Sequence, residues 1–268
     1  MRPVKVLCVG GSDSGGGAGI QADLKAVSAC GCYGMSVITA LTAQNTLGVQ
    51  NIYPISAEFV GKQLSVVLND IGADAVKTGM LLTSGIVQVV VKKIKEYNID
   101  KVIVDPVMIA KGGRSLMQER ARAALVKKLM PLALVVTPNI PEAEYLAQMK
   151  IKSVNAMKKA AALIYRLGAR NVLIKGGHLP GSKRSGAIDI LYNGKKYYEL
   201  SAGWVDTKDT HGTGCTFASA LAAEIARGEN VVAATEKAKK LVIDAIKNSL
   251  KFGAGHGPVN VLFKYLTN

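Results

Sequence analysis

The chain has 268 residues, 49% of them apolar and 20% charged, with 34 Lys+Arg against 19 Asp+Glu for a net charge of +15. That composition buries a substantial core and excludes a disordered chain, and no apolar run approaches the roughly 20 residues a bilayer span needs. The positive charge admits nucleic acid, an anionic membrane surface or small acidic substrates as partners. The basic residues are dispersed, however, and aromatics at 5% are too few for a base-stacking surface.

In chain order, Val4–Gly10 is a buried-strand run. It stops at Gly10-Gly11 and does not continue as a signal peptide would, so a cytoplasmic protein is expected. A glycine-rich turn then leads into a helix over about residues 17–30. Ser36–Ala43 reads as a strand, Ala57–Asp70 as a helix, Ala75–Thr78 as a short strand and Ile86–Tyr97 as a helix. Val102–Val104 is a buried strand ending at Asp105-Pro106, and Ala121–Leu129 has helical spacing. Leu132–Thr137 is a strand, Pro141–Gln148 and Val154–Leu167 are helices, and Asn171–Lys175 is again a strand. Such alternation predicts an α/β chain: one domain over 1–268, a doubly wound, mostly parallel sheet between two helical layers.

One segment breaks the rhythm. Ala187–Tyr192 and Lys196–Leu200 flank Asn193-Gly194, a type I′ hairpin signal, so a late antiparallel hairpin is expected. Helices over about 213–227 and 231–250 follow. In the second, Leu241, Val242, Ala245, Ile246 and Leu250 mark an apolar stripe, with Lys237, Lys239, Lys240, Lys247 and Lys251 on the opposite, solvated face.

Cys8 sits in a core strand, and Cys30 and Cys32 stand as C-x-C without zinc-like spacing. Cys215 differs, because it follows Gly212-Thr213-Gly214 and precedes the small-residue run that begins at Thr216. The free N–H groups and dipole of a helix start make an anion site. A thiol there is expected below its usual value of about 8.5 and able to act as a general base; the alternative is a small buried hydrophobe. The first turn, residues 9–26, lacks the third glycine of G-x-G-x-x-G, and no P-loop motif occurs. Its crowded glycines suit either a tight turn or close approach of a ligand to the backbone.

"DTHGTGCTFASA" (209–220) is similar to the C-terminal signature of the ribokinase-like superfamily, most of whose kinases carry Asp at the position of Cys215. With cysteine there, the chain resembles the hydroxymethylpyrimidine kinase / phosphomethylpyrimidine kinase family of thiamine biosynthesis. "GGSDSGGGAGIQADLKA" (10–26), "TALTAQNT" (39–46), "KTGML" (77–81), "VDPVMIAKGG" (104–113), "TPNIPEAEYL" (137–146) and "IKGGH" (174–178) resemble it in the same order.

The resemblance implies a ribokinase-like fold, ATP and Mg²⁺ as cofactors, and an aminopyrimidine alcohol and its phosphate as substrates. It implies neither nucleic acid nor membrane as partner, and it brings the homodimer as a family habit. Gly212, Thr213, Gly214 and Cys215 would cradle the transferring phosphoryl group, Asp105 and Glu142 would organise magnesium, and Lys175, Asn139 and Glu142 would meet the nucleotide. Gln44 would pair with the pyrimidine edge through its side-by-side donor and acceptor, with Gly11, Ala18, Asp23, Met80 and Val107 lining the pocket.

Simpler roles stay open for Glu142, a first-turn acid after Pro141, and for Gln44, His178 and His211. Lys111-Gly112-Gly113 would be a lid. The nearest rival is pyridoxal kinase of the same clade, some of whose members place a second cysteine where this chain has Ala110.

Overall fold

The structure, a computed structural model, describes residues 2–109, 116–177, 179 and 186–266. Its β-branched runs become strands because both faces of each can be buried. β1 (Lys5–Gly10), β2 (Tyr33–Ile38), β5 (Ala75–Thr78), β6 (Val102–Val104), β7 (Val135–Val136) and β8 (Val172–Ile174) lie parallel. β9 (Ala187–Tyr192) and β10 (Tyr197–Ala202) extend the same sheet, whose order is β10-β9-β8-β7-β6-β5-β1-β2. β9 runs against both of its neighbours, as the late hairpin requires.

Helices cover both faces of this sheet. α2 (Ala57–Asp70), α3 (Ser84–Glu96), α4 (Glu119–Ala124), α5 (Ile140–Ala147) and α6 (Val154–Tyr165) pack on one side. α1 (Gly19–Ala29), α7 (Thr213–Ala226) and α8 (Val231–Lys247) pack on the other. Alternation along β1 separates the two cores, with Leu7 and Val9 in the first and Val6 and Cys8 in the second. Ser56, Thr83, Ser153 and Asn230 start their helices by accepting a backbone N–H from three residues on. The result is the three-layer, mostly parallel architecture that the alternating pattern predicts. Among the described residues no helix is long and apolar enough to cross a membrane.

Four local expectations change. The strand expected over Ser36–Ala43 breaks at Thr39, whose Oγ1 donates to the Met80 carbonyl at 2.6 Å. Beyond it the chain leaves the sheet as β3 (Ala40–Asn45) and pairs with β4 (Gly48–Pro54) in a separate two-stranded sheet. The late hairpin turns around Gly194-Lys195 rather than Asn193-Gly194: the Asn193 N–H donates to the Lys196 carbonyl at 3.3 Å, and Asn193 Oδ1 caps the N–H groups of Lys195 and Lys196. Only Gly194, at φ 86°, takes the left-handed conformation there, so the turn is not type I′.

The helix expected over Ala121–Leu129 widens into a π turn over Leu125–Leu129 and tightens into a 3₁₀ turn at Met130–Leu132, where Pro131 offers no N–H. That turn consumes the first part of the strand expected from Leu132. Finally, Lys239 is not on a solvated face. It is buried, and its Nζ donates to Asp189 Oδ2 at 2.8 Å and to the Ala187 and Leu200 carbonyls. Helical spacing alone could not show that the edge hairpin folds over this part of α8.

Candidate active site

Ligands of open parallel sheets gather beyond the carboxyl ends of the strands, and here the turns after β1, β5, β6 and β8 open into a cleft of about 750 Å³. Every site residue expected from sequence lines it: Gly11, Ala18, Asp23, Gln44, Met80, Asp105, Val107, Asn139, Glu142, Lys175, Gly212, Thr213, Gly214 and Cys215. The expected lid, Lys111-Gly112-Gly113 with Ala110, and His178 lie outside the described residues.

The anion-binding end is built where two glycine turns meet. α7 begins at Thr213, as expected, so Thr213, Gly214 and Cys215 form its first turn; the Thr213 N–H donates to the Thr210 carbonyl, and those of Gly214 and Cys215 have no partner within the helix. Gly212 caps it at φ 82°, and a Cβ there would land on the Gly17 carbonyl oxygen, so only glycine lets the two turns touch. A Cβ on Gly214 would stand 3.3 Å from Lys175 Nζ, which places that ammonium beside the helix start.

Opposite lie buried acids and lysines. Lys175 Nζ contacts Asp105 Oδ1 at 2.9 Å, and the same oxygen accepts from Thr137 Oγ1 at 3.0 Å. Burial pushes the Asp105 carboxyl up, but the Lys175 and Lys77 ammoniums outweigh it and hold the group below its ordinary value. Burial likewise pulls Lys175 down, and the negative charges of Asp105 and Glu142 more than reverse that. Asn139 and Glu142 form a reciprocal capping box, each side chain accepting the other's N–H at 3.0 Å, and Met108 N–H also reaches Glu142 Oε1. The capping box thus explains why Asn and Glu occur together, beside whatever they do for a ligand.

Burial, helped by Asp105, pushes Glu142 up to about 7 from an ordinary 4.5, although Lys175 opposes it. The folded chain therefore holds a proton that the unfolded chain has lost over that range, and stability falls as pH rises from 4.5 to about 7. Glu142→Gln removes that titration but leaves one acceptor for two backbone N–H groups, so it is expected to be the less stable protein below about pH 4.5, with the gap narrowing by pH 8. Urea midpoints at both pH values check this, and a gap that widens toward pH 8 would contradict it.

Among the described residues no group of three or more His, Cys, Asp or Glu side chains could hold a metal alone. Two neighbouring buried carboxylates, one of them pushed toward the neutral form, nevertheless fit a magnesium ion that arrives with phosphate oxygens as its other ligands.

One expectation is corrected here. The Cys215 thiol is not lowered: burial pushes it up to about 11, Asp23 and Asp105 add to the rise, and Lys77 and the Gly19 N–H recover only part of it. The helix start is real, but for this half-buried sulfur it gains less than desolvation and the neighbouring carboxylates cost. Alkylation of Cys215 by iodoacetamide at about pH 8 is expected to run about a hundredfold slower than that of free cysteine and to keep rising through about pH 10. A plateau below about pH 9 in the mass-resolved rate would contradict it.

Asp23 lines the cleft as expected, from its fully buried floor. Lys77 Nζ holds both of its oxygens at 2.8 and 2.9 Å, and Ser219 Oγ donates to Oδ1 at 2.8 Å.

Sequence reasoning placed Lys77 within "KTGML" but gave it no role, although a charge inside the buried run Ala75–Thr78 was a further signal. It also missed Asp13, which accepts from the Gly15, Gly17 and Ala18 N–H groups and from His211 Nε2 at 2.9 Å. The apolar wall of Val205, Phe217, Val242, Ile243 and Ile246 was missed as well; it lies toward the β9–β10 edge, away from Gln44 and Met80. Part of that wall reads in sequence as an ordinary helix stripe.

Residues 13–260 match the family profile of phosphomethylpyrimidine kinase. The chain is 48% identical over 260 residues to the hydroxymethylpyrimidine/phosphomethylpyrimidine kinase of Bacillus subtilis, covering 97% of this chain and 95% of that one. Among solved structures it is similar to an ADP complex of Bacillus subtilis pyridoxal kinase (TM-score 0.92, 40% identity, 99% and 100% of the two chains). It is also similar to the phosphomethylpyrimidine kinase of Clostridium difficile 630 (TM-score 0.80, 42% identity, 91% and 99%).

Proposed function

The chain belongs to the phosphomethylpyrimidine kinase family, and from that premise we propose that it moves the γ-phosphoryl group of ATP to the hydroxymethyl oxygen of 4-amino-5-hydroxymethyl-2-methylpyrimidine, and then a second one to the resulting monophosphate. The observation that carries this reading is the junction of the α7 start, Cys215 and Lys175 on one cleft. Helix-start N–H groups, a thiol and a cation line the same cleft, which supports a phosphoryl-transfer reading.

In each transfer the acceptor oxygen bonds to the γ-phosphorus as the bond to the bridging oxygen of ADP breaks. Such transfers run through a loose transition state that needs position and charge stabilisation more than a base. The Gly214 and Cys215 N–H groups and the Lys175 ammonium meet the growing charge on the equatorial and leaving oxygens. Cys215 holds its proton at rest, so it orients the acceptor hydroxyl, and the hydroxyl proton leaves late to a phosphoryl oxygen or solvent. Asp105 and Glu142 would hold magnesium on the protein side, and the ion would supply neutralisation of phosphate charge. The apolar wall of Phe217, Val242 and Ile246 suits the adenine ring, and Met80 and Val107 suit the flat face of the pyrimidine.

A pyridoxal kinase is the second reading, favoured by the close match to a solved enzyme of that name. Against it stand Ala110 in the lid sequence and the amide of Gln44. Comparing kcat/KM for the pyrimidine alcohol and for pyridoxal decides: preference for the pyrimidine supports the first reading, and faster turnover of pyridoxal overturns it.

A further inference from the structure

The backbone of Gln44 is tied down. Its N–H donates to Ser14 Oγ at 2.9 Å, and Ser14 Oγ donates to its carbonyl at 2.8 Å. What remains free is the turn of the terminal amide, whose two ends have the same shape and are assigned by their partners. The amide nitrogen stands 3.2 Å from His211 Nε2 and the amide oxygen 3.3 Å from Thr42 Oγ1.

The partners' chemistry requires the opposite order. Asp13 is an acceptor-only carboxylate with three backbone N–H donors, so the 2.9 Å contact from His211 Nε2 must carry the ring proton on that nitrogen. Burial pushes the Asp13 carboxyl up, but the His211 contact and the backbone donors hold it below its ordinary value, which keeps it ionised. A protonated Nε2 cannot accept from an amide nitrogen. Thr42 has one hydroxyl proton, and it goes to the Ser12 carbonyl at 2.8 Å, so Thr42 offers Gln44 only lone pairs. In the first order two donors face each other at one end and two acceptors at the other. Half a turn of the amide makes the Thr42 contact a hydrogen bond and gives the single Nε2 proton, held chiefly by Asp13 at 2.9 Å, a second acceptor at 3.2 Å in a shared, three-centre bond.

We propose that Asp13 and His211, acting as positioning residues, hold the Gln44 amide with its oxygen toward His211 and its nitrogen toward Thr42, and that this order selects an amine-bearing pyrimidine edge over an oxo-bearing one. The inference rests on the proposed aminopyrimidine substrate. An amine beside a bare ring nitrogen offers donor then acceptor, which complements the amide's acceptor and donor. The oxo counterpart, protonated at the ring nitrogen, offers the reverse order. It cannot turn over to match, because its hydroxymethyl group would then leave Cys215. A freely turning amide would accept both, whereas a held one rejects the second.

The test compares kcat/KM for 4-amino-5-hydroxymethyl-2-methylpyrimidine and its 4-oxo counterpart in the wild type, His211→Leu and His211→Gln. The wild type is expected to prefer the amine by about a hundredfold or more, since sites built around a substrate's hydrogen bonds reject analogues strongly. His211→Leu should cut that ratio about tenfold or more, mainly through KM. His211→Gln, whose side-chain nitrogen reaches the same place, should restore it. A His211→Leu enzyme that loses both substrates equally, or a wild-type ratio near one, overturns the inference.

A ¹⁵N spectrum of His211 is read beside it: a proton on Nε2 supports the proposal, and a proton on Nδ1 with Nε2 bare overturns it. If the wild type phosphorylates neither pyrimidine, the substrate reading fails on its own, and the ¹⁵N result still judges the amide order.

Discussion

Lys175→Met is expected to lower kcat by about a hundred- to a thousandfold, the range seen when one preorganised stabiliser of transition-state charge is removed. Nζ stands beside both Gly214 and Asp105 Oδ1, so the substitution takes a cation from the phosphoryl path and leaves a buried carboxylate with less compensation. Asp105 should then lose much of the pull that keeps it ionised, and its pKa should rise from its present place below the ordinary value. KM for the pyrimidine alcohol should change little, because Gln44, Met80 and Val107 are untouched. Steady-state kinetics check the split. A variant that loses only affinity for the alcohol would place Lys175 in the wrong half of the cleft.

Lys77→Met is expected to destabilise the protein by about 3–5 kcal/mol, the usual cost of removing one partner of a buried ion pair. Both partners are about 1% exposed, and Lys77 fills the floor beneath Cys215 while holding both oxygens of Asp23. Burial pulls its ammonium down, but Asp23, with Cys215 and Asp105, holds it well above its ordinary value, whereas burial outweighs Lys77 at Asp23 and raises that carboxyl; the charge on Lys77 is the one the fold secures. Adding Asp23→Leu to Lys77→Met should recover most of the loss, because no charge is then left stranded. Urea unfolding of the single and double variants measures this. A double variant as unstable as the single one would show that Lys77 matters for shape rather than for charge.

Much of the architecture was legible because buried strands and amphipathic helices have different periods. β5 and β6 and α2 have the bounds their apolar runs suggest. Legibility failed where tertiary contacts decide. Nothing local shows that Thr39 ends a strand, since its partner is the Met80 carbonyl from another turn. The pair β3 and β4 lacks an Asn-Gly turn and alternates poorly, so the hairpin beside the cleft was not seen.

The site itself was easier to find than its chemistry. Glycine turns, a strand-end Asp105 and the N-cap pair Asn139 and Glu142 are visible as residue types in place. Their charges depend on burial: it lifts Cys215 and Glu142, and it confines Asp23 to Lys77. Asp13 and His211, 198 positions apart, meet only in three dimensions.

The most direct test of the account is a mass-resolved time course of the protein with ATP, Mg²⁺ and 4-amino-5-hydroxymethyl-2-methylpyrimidine, run beside Cys215→Ala. The account predicts monophosphate first and diphosphate after it, with Cys215→Ala slower by about tenfold or more, since a positioning contact at the acceptor oxygen is lost. No phosphorylated pyrimidine from the wild type, with ATP bound and the protein folded, would contradict it.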